Sequence, residues 1–252
     1  MSGYTVAAFY RFAPIADPDG LRLTLLARCR ELGLCGTILV AEEGLNGTIA
    51  GTAAAIGTIQ GELEAIPGCA DLPWKLSTAA TAPFRKLLIK RKREIVTMGV
   101  PELPIAGHTG TYVPPAEWDA LIARDDVLLV DTRNDYELAE GAFVGAVNPG
   151  IANFRAFPAW VDAHLGNDRE RPVAMYCTGG IRCEKATALL KARGFRHVYH
   201  LQGGILGYLA QTGNARQAWQ GTCYVFDERE TVDARLQAAP RTNDETLPLH
   251  QS

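Results

Sequence analysis

The segment MYCTGGIRCEK, residues 175–185, passes from apolar residues to a cysteine, then through two glycines to an arginine and an acidic helix start. Val173 to Tyr176 is short and continuously apolar, as a strand buried on both faces reads, and it ends at Cys177. Glu184 to Arg193 carries the pattern of the following helix. Upstream, Val127 to Val130 is a second such strand, ending at Asp131. Buried strands alternating with helices predict a parallel α/β sheet, whose functional residues belong at the carboxyl ends of the strands, where Asp131 and Cys177 sit.

Between strand and helix, Cys177, Thr178, Gly179, Gly180, Ile181 and Arg182 read as an anion cradle. The glycines allow successive backbone N–H groups to face inward, and the helix N-terminus adds positive potential. A thiol so placed, beside a cation such as Arg182, can fall from a pKa of about 8.5 to roughly 3.5–7.5. Cys177 is therefore the candidate nucleophile, set against the plainer reading of a small residue buried at a strand end. Cys183 either resolves a persulfide or disulfide on Cys177 or packs the first helical turn, and packing is the expectation. Glu184 and Lys185 read as local to that turn, where a carboxylate complements the helix dipole.

Outward from this segment, the first hundred residues read strand, helix, hairpin, helix, strand. Val6, Ala8, Tyr10 and Phe12 alternate along Tyr4 to Phe12. Asp17-Pro18 is an N-cap and first-turn pair, followed by an apolar stripe of Leu21, Leu25, Ala27, Cys29 and Leu32. Thr37 to Ala41 and Gly47 to Ala50 pair as a hairpin in which Asn46-Gly47 is the turn signal. A helix over Thr52 to Ile66, an extended segment at Trp74 to Ser77 and a basic strand over Phe84 to Thr97 complete the unit. This order predicts a ferredoxin-like (acylphosphatase-like) βαββαβ domain over 1–98. Residues 99–115, rich in Gly and Pro, read as a linker. The parallel α/β domain is expected over 112–221, with a C-terminal tail over 222–252, its polar end from Ala238 disordered.

Composition narrows the function classes. Of 252 residues 47% are apolar, the fraction of a globular protein that buries a core, so disorder is not the default. No stretch approaches the roughly 18 apolar residues of a membrane span, and the start at Met1-Ser2-Gly3-Tyr4 lacks a signal peptide, so the expected location is the cytoplasm, with no membrane partner. Six cysteines without any Cys-x-x-Cys predict free thiols and no metal site. The net charge of −3 conceals an uneven distribution: residues 1–100 hold 11 Lys/Arg against 9 Asp/Glu, the remainder 14 against 19. A polyanion should prefer the first half. There, Arg85, Lys86, Lys90, Arg91, Lys92 and Arg93 put six cations in nine positions, either a solvated face or a phosphate-binding strand. Arg155, in Asn153-Phe154-Arg155-Ala156-Phe157-Pro158, is a candidate wall of the Cys177 pocket, with Phe154 or Phe157 stacking on a base or packing the core.

Cys177 to Arg182 resembles the six-residue active-site loop of rhodanese domains. Asp131-Thr132-Arg133 with Tyr136-Glu137 and Gly145-Ala146-Val147-Asn148 looks like the other rhodanese signature, whose Asp/Arg pair is mainly structural. The match narrows further. GTILVAEEGLNGTIAG (36–51), PFRKLLIKRKREIVTMG (83–99), DTRNDYE (131–137) and MYCTGGIRCEKA (175–186) together resemble the bacterial tRNA uridine hydroxylases that contain a rhodanese domain. That resemblance implies oxygen-dependent conversion of the wobble uridine of tRNA to 5-hydroxyuridine. It also implies Cys177 as the active-site cysteine in persulfide form, molecular oxygen as co-substrate and an electron donor that the sequence does not identify. No flavin, haem or iron fingerprint is recognisable. Glu42, Glu43 and Asn46 of the hairpin are given no chemical role. Many relatives continue past Cys223-Tyr224-Val225-Phe226-Asp227 into a cysteine-rich tail; no cysteine follows Cys223 here, so a tail-borne metal site is not expected. A plain sulfurtransferase or a non-catalytic tRNA-binding module are the alternatives, and no oligomeric state is read.

Overall fold

A computed structural model describes residues 3–100, 103–166, 168–213 and 218–241. The first unit runs β1 (Tyr4–Phe12), α1 (Pro18–Glu31), β2 (Cys35–Ala41), β3 (Gly44–Gly51), α2 (Ala53–Glu64), β4 (Lys75–Ala79) and β5 (Leu87–Arg91). Its strands are ordered β4-β1-β3-β2-β5, with β1, β3, β4 and β2 antiparallel to their neighbours and β5 added parallel to β2. This is the expected βαββαβ unit with one refinement. The strand that completes it beside β1 is the extended segment at Lys75, while the basic stretch is a fifth strand on the opposite edge, shorter than the expected Phe84–Thr97.

Local signals set these elements. Asp17 caps α1 by accepting from the Gly20 N–H at 2.9 Å, and Thr52 caps α2. Leu25 and Cys29 of α1 are buried, but Ala27 is exposed and Leu26 packs in its place. The hairpin corrects the turn assignment. Its turn is Glu42-Glu43, and Asn46-Gly47 lies inside β3 opposite Leu39 and Ile38. Gly44 takes φ +146 at the turn, while at Gly47 a Cβ would press on Phe9 and on the Thr37 carbonyl, so that glycine serves close packing. Ile38, Ile49, Ile59 and Leu63 are fully buried between sheet and helices, each stabilising by roughly 1.5–3 kcal/mol.

The second unit contains β6 (Thr111–Val113), α3 (Pro115–Ile122), β7 (Leu128–Asp131), α4 (Asp135–Leu138), β8 (Gly141–Phe143), a 3-10 turn (Phe154–Ala156), α5 (Phe157–His164), β9 (Val173–Tyr176), α6 (Ile181–Ala192), β10 (Val198–Leu201) and α7 (Gly204–Thr212). Strands β6, β10, β9 and β7 form one sheet in that order, and it is parallel, as the apolar runs predict. Three short strands follow: β11 (Trp219–Gly221) pairs with β8, and β12 (Cys223–Tyr224) with β13 (Thr231–Val232).

Two boundary expectations change. Met98, just before the expected linker, is buried in the second unit's core, and Val96, Val100 and Leu103 pack against that core, so the start of the expected linker belongs to it. The tail is also built in. Val225, Val232, Ala234 and Leu236 fill a core cluster, and Arg241 pairs with the buried Glu140 at 2.7 Å. Ala238 to Arg241 are thus ordered; the expected disorder of 242–252 lies outside the described residues.

Both faces of the first unit's sheet are covered. Ala7 and Phe9 of β1 meet the helices, while Tyr10 and Phe12 point the other way, to the second unit. Polar ties among the described residues join the units. Tyr10 donates to Glu184 at 2.8 Å, Lys185 contacts Glu43 at 2.9 Å and Glu94 at 2.6 Å, Arg229 donates to Ser77 at 2.8 Å, and Glu228 pairs with Arg85 at 3.2 Å. Glu184 and Lys185 therefore act across the interface rather than locally, and Glu43 has a structural task.

Candidate active site

Cys177 follows the last residue of β9, and Gly180 at φ +100 caps α6, so the loop between them turns within three residues. Such a dihedral suits glycine, and a Cβ at Gly180 would come within 2.9 Å of the Tyr10 hydroxyl. Gly204, at φ +64, lies so close beneath that a Cβ would meet the Cys177 carbonyl oxygen at 2.5 Å. The loop is clamped from both sides.

The Gly180 N–H donates to Cys177 Sγ at 3.1 Å, realising the expected cradle. Burial by itself raises this thiol. It is outweighed by the hydrogen bond from the Cys183 thiol, the positive charge of Arg182 and the backbone N–H groups of residues 182 and 183, which bring Cys177 down to about 5. Cys183 is pushed well up, first by burial and then by the neighbouring Cys177 charge, and stays a thiol donor. It is both a core residue, as expected, and a direct partner of the reactive sulfur.

Arg182 is held by Glu137, a bidentate ion pair with both contacts at 2.6 Å. Thr178 joins the same carboxylate at 3.2 Å. Burial raises the Glu137 carboxyl, but the Arg182 charge and its hydrogen bonds prevail and hold it below the usual range. Glu137 in turn closes a capping box with Asn134 at the start of α4. The Asp131–Arg133 pair is fully buried, with Arg133 also donating to the carbonyls of Glu137 and Gly141, the structural role expected of it.

Above the loop lies a cavity of about 490 Å³. Its floor includes Cys177, Thr178, Gly179, Ile181 and Arg182; Gly180 and Cys183 do not line it. Its roof is the helix-free face of the first unit's sheet, with Tyr10, Asn46 and Lys75, and Phe226 and Arg229 of the C-terminal segment close one side. Sequence reasoning missed this roof. The signal was the nearly unbroken apolarity of Tyr4 to Phe12, which fits a strand covered on both faces better than a half-exposed one.

The structure separates the candidate substrate-binding cations. Lys92 lines the cavity, and Lys86, Lys90 and Arg93 are exposed on or beside β5. Arg91 is engaged by Glu42 and Asp19, and Arg85 by Glu228. Arg155 is exposed and does not line the cavity; its neighbour Phe154 does, while Phe157 is core. Among the described residues no cluster of three or more metal-ligating side chains occurs.

Comparison with known proteins follows the same division. Residues 4–95 match the family profile described as UPF0176 acylphosphatase like domain, and residues 114–211 that of the rhodanese-like domain. A tRNA uridine(34) hydroxylase of Mesorhizobium japonicum is 52% identical over 92% of this chain and 75% of its own. One of Deinococcus radiodurans is 51% identical over 93% and 77%. A solved rhodanese-like domain from Anabaena sp. aligns at 20% identity and TM-score 0.36 over 45% of this chain and 80% of its own, too loosely to carry an argument. On these identities and coverages, the chain belongs to the tRNA uridine(34) hydroxylase family.

Proposed function

We propose that this chain hydroxylates C5 of the wobble uridine, position 34, of tRNA to give 5-hydroxyuridine, acting in the cytoplasm with Cys177 as the reacting residue. The observation that carries the proposal is the stabilised thiolate facing a cavity of about 490 Å³, within the range of small-molecule sites and far larger than a sulfane sulfur needs. The names of the relatives supply the substrate. Molecular oxygen as co-substrate and an external electron donor balance the reaction: one oxygen atom enters the C5–H bond and the other leaves as water with the donor's electrons and protons.

A wobble base lies in a single-stranded loop, so turning it into a pocket costs little pairing energy. Phosphates beside it would meet Lys86, Lys90, Lys92 and Arg93, which supply affinity and salt dependence without sequence choice. Nucleoside mass spectrometry of tRNA from a hydroxylase-deficient strain tests the reading. 5-Hydroxyuridine is expected with wild type in air, and neither with Cys177→Ser nor without oxygen. Full modification by Cys177→Ser would remove Cys177 from the mechanism.

A further inference from the structure

The buried cations around the cavity are almost all neutralised by carboxylates. Arg182 is held by Glu137, Lys185 by Glu43 and Glu94, and Arg229 by Asp227 at 2.6 Å. Lys75 is different. It projects from β4 into the cavity that contains Cys177, half-buried, with its ammonium 5.0 Å from the centre of the Tyr10 ring, and no carboxylate lies within ion-pair distance of it among the described residues. The charged and titratable groups around it are Tyr10 and Arg11 of β1, Asp71 on the preceding loop, and Cys177, Glu184 and Tyr112 of the second unit. Tyr10 and Tyr112 both donate to Glu184, at 2.8 and 2.7 Å, which occupies that carboxylate away from Lys75. Desolvation lowers the Lys75 ammonium to about 8, against the raising influence of Cys177 and Glu184. A cation with no carboxylate partner, lining the same cavity as the thiolate, is free to donate to an oxygen of a base bound there.

We propose that Lys75 is a further catalytic residue, which hydrogen-bonds the C4 carbonyl oxygen of the wobble uracil and protonates it as the Cys177 thiolate adds to C6. The inference rests on the hydroxylase reading. In this step the S–C6 bond forms, the C5=C6 π pair moves to C4–C5, and the C4=O pair takes the proton from Lys75, leaving a neutral amine. The step consumes no oxidant or reductant. It makes C5 electron-rich, the polarity an incoming electrophilic oxygen requires, and without oxygen it reverses. Before reversing, the enol can take a proton from solvent at C5 and then lose the original hydrogen.

Anaerobic exchange of the C5 hydrogen of uridine 34 for solvent deuterium therefore isolates this step. It is measured by nucleoside mass spectrometry with an anticodon stem–loop and the purified full chain, alongside 5-hydroxyuridine formation in aerobic cells. Wild type should exchange. Lys75→Met should lose at least ~100-fold in exchange, a typical general-acid contribution, and lose hydroxylation in cells. Its stem–loop affinity should stay within about threefold, because phosphate contacts dominate binding. Exchange by wild type should rise as Cys177 ionises and fall above about 8 as Lys75 deprotonates, and Lys75→Arg, whose guanidinium keeps its proton, should lose exchange as Lys75→Met does. Exchange by Lys75→Met at the wild-type rate overturns the assignment. Wild-type hydroxylation in cells without anaerobic exchange refutes the addition step while leaving the hydroxylase reading intact, and absence of both overturns the two together.

Discussion

At the level of single residues, Cys177 ends a strand, receives the Gly180 N–H at 3.1 Å and faces the Cys183 thiol. The cysteine, glycines and arginine were legible because each has a local meaning in a strand–loop–helix sequence. The pairing of Glu137 with Arg182 was not, since the two lie 45 residues apart and only the fold brings the two carboxylate contacts to 2.6 Å. The pairing implies a division of labour: Glu137 fixes Arg182, and Arg182 with Cys183 stabilises the thiolate. Replacing Cys183 by Ala removes a hydrogen bond that is stronger to the charged form of Cys177, so the Cys177 pKa should rise. Iodoacetamide alkylation followed against pH should show the wild-type midpoint well below the free-thiol value of about 8.5 and an upward shift in Cys183→Ala. Coincident midpoints would mean that Cys183 only packs.

Among the elements, β5 shows what sequence patterning gives and what it hides. Six cations in nine positions announced an exposed basic strand, and β5 occupies a sheet edge where such charges also discourage unwanted pairing. Which cations are free was not legible. Arg91 lies on the helix side with Ile89 and is taken by Glu42 and Asp19, whereas Lys90, in register with Leu39, shares the cavity-facing side. Joint charge reversal, Lys90→Glu with Lys92→Glu, should weaken tRNA binding and reduce the log–log salt slope by roughly one to two. Circular dichroism should be unchanged, because both side chains are exposed. An unaltered slope would place the phosphate contacts elsewhere. The hairpin offers the opposite lesson: Asn46-Gly47 has the composition of a turn but lies within β3, because packing against Phe9 and the Thr37 carbonyl requires glycine there.

In the whole molecule, the site belongs to neither unit alone. The rhodanese-like unit brings the thiolate, the sheet of the first unit closes over it with Tyr10, Asn46 and Lys75, and the segment after β12 returns to tie Arg229 to Ser77. Both fold classes were legible from apolar periodicity and element order. The mutual placement was not, because it depends on pairs such as Tyr10–Glu184 and Arg229–Ser77, 174 and 152 residues apart. The central claim is that uridine 34 enters this shared cavity and meets Cys177. Photocrosslinking an anticodon stem–loop with 4-thiouridine at position 34, followed by peptide mass spectrometry, tests it most directly. The account predicts crosslinks to peptides from both units, around residues 75–77 and 177–182; crosslinks confined to the outer surface of either unit, with none to these segments, would contradict it.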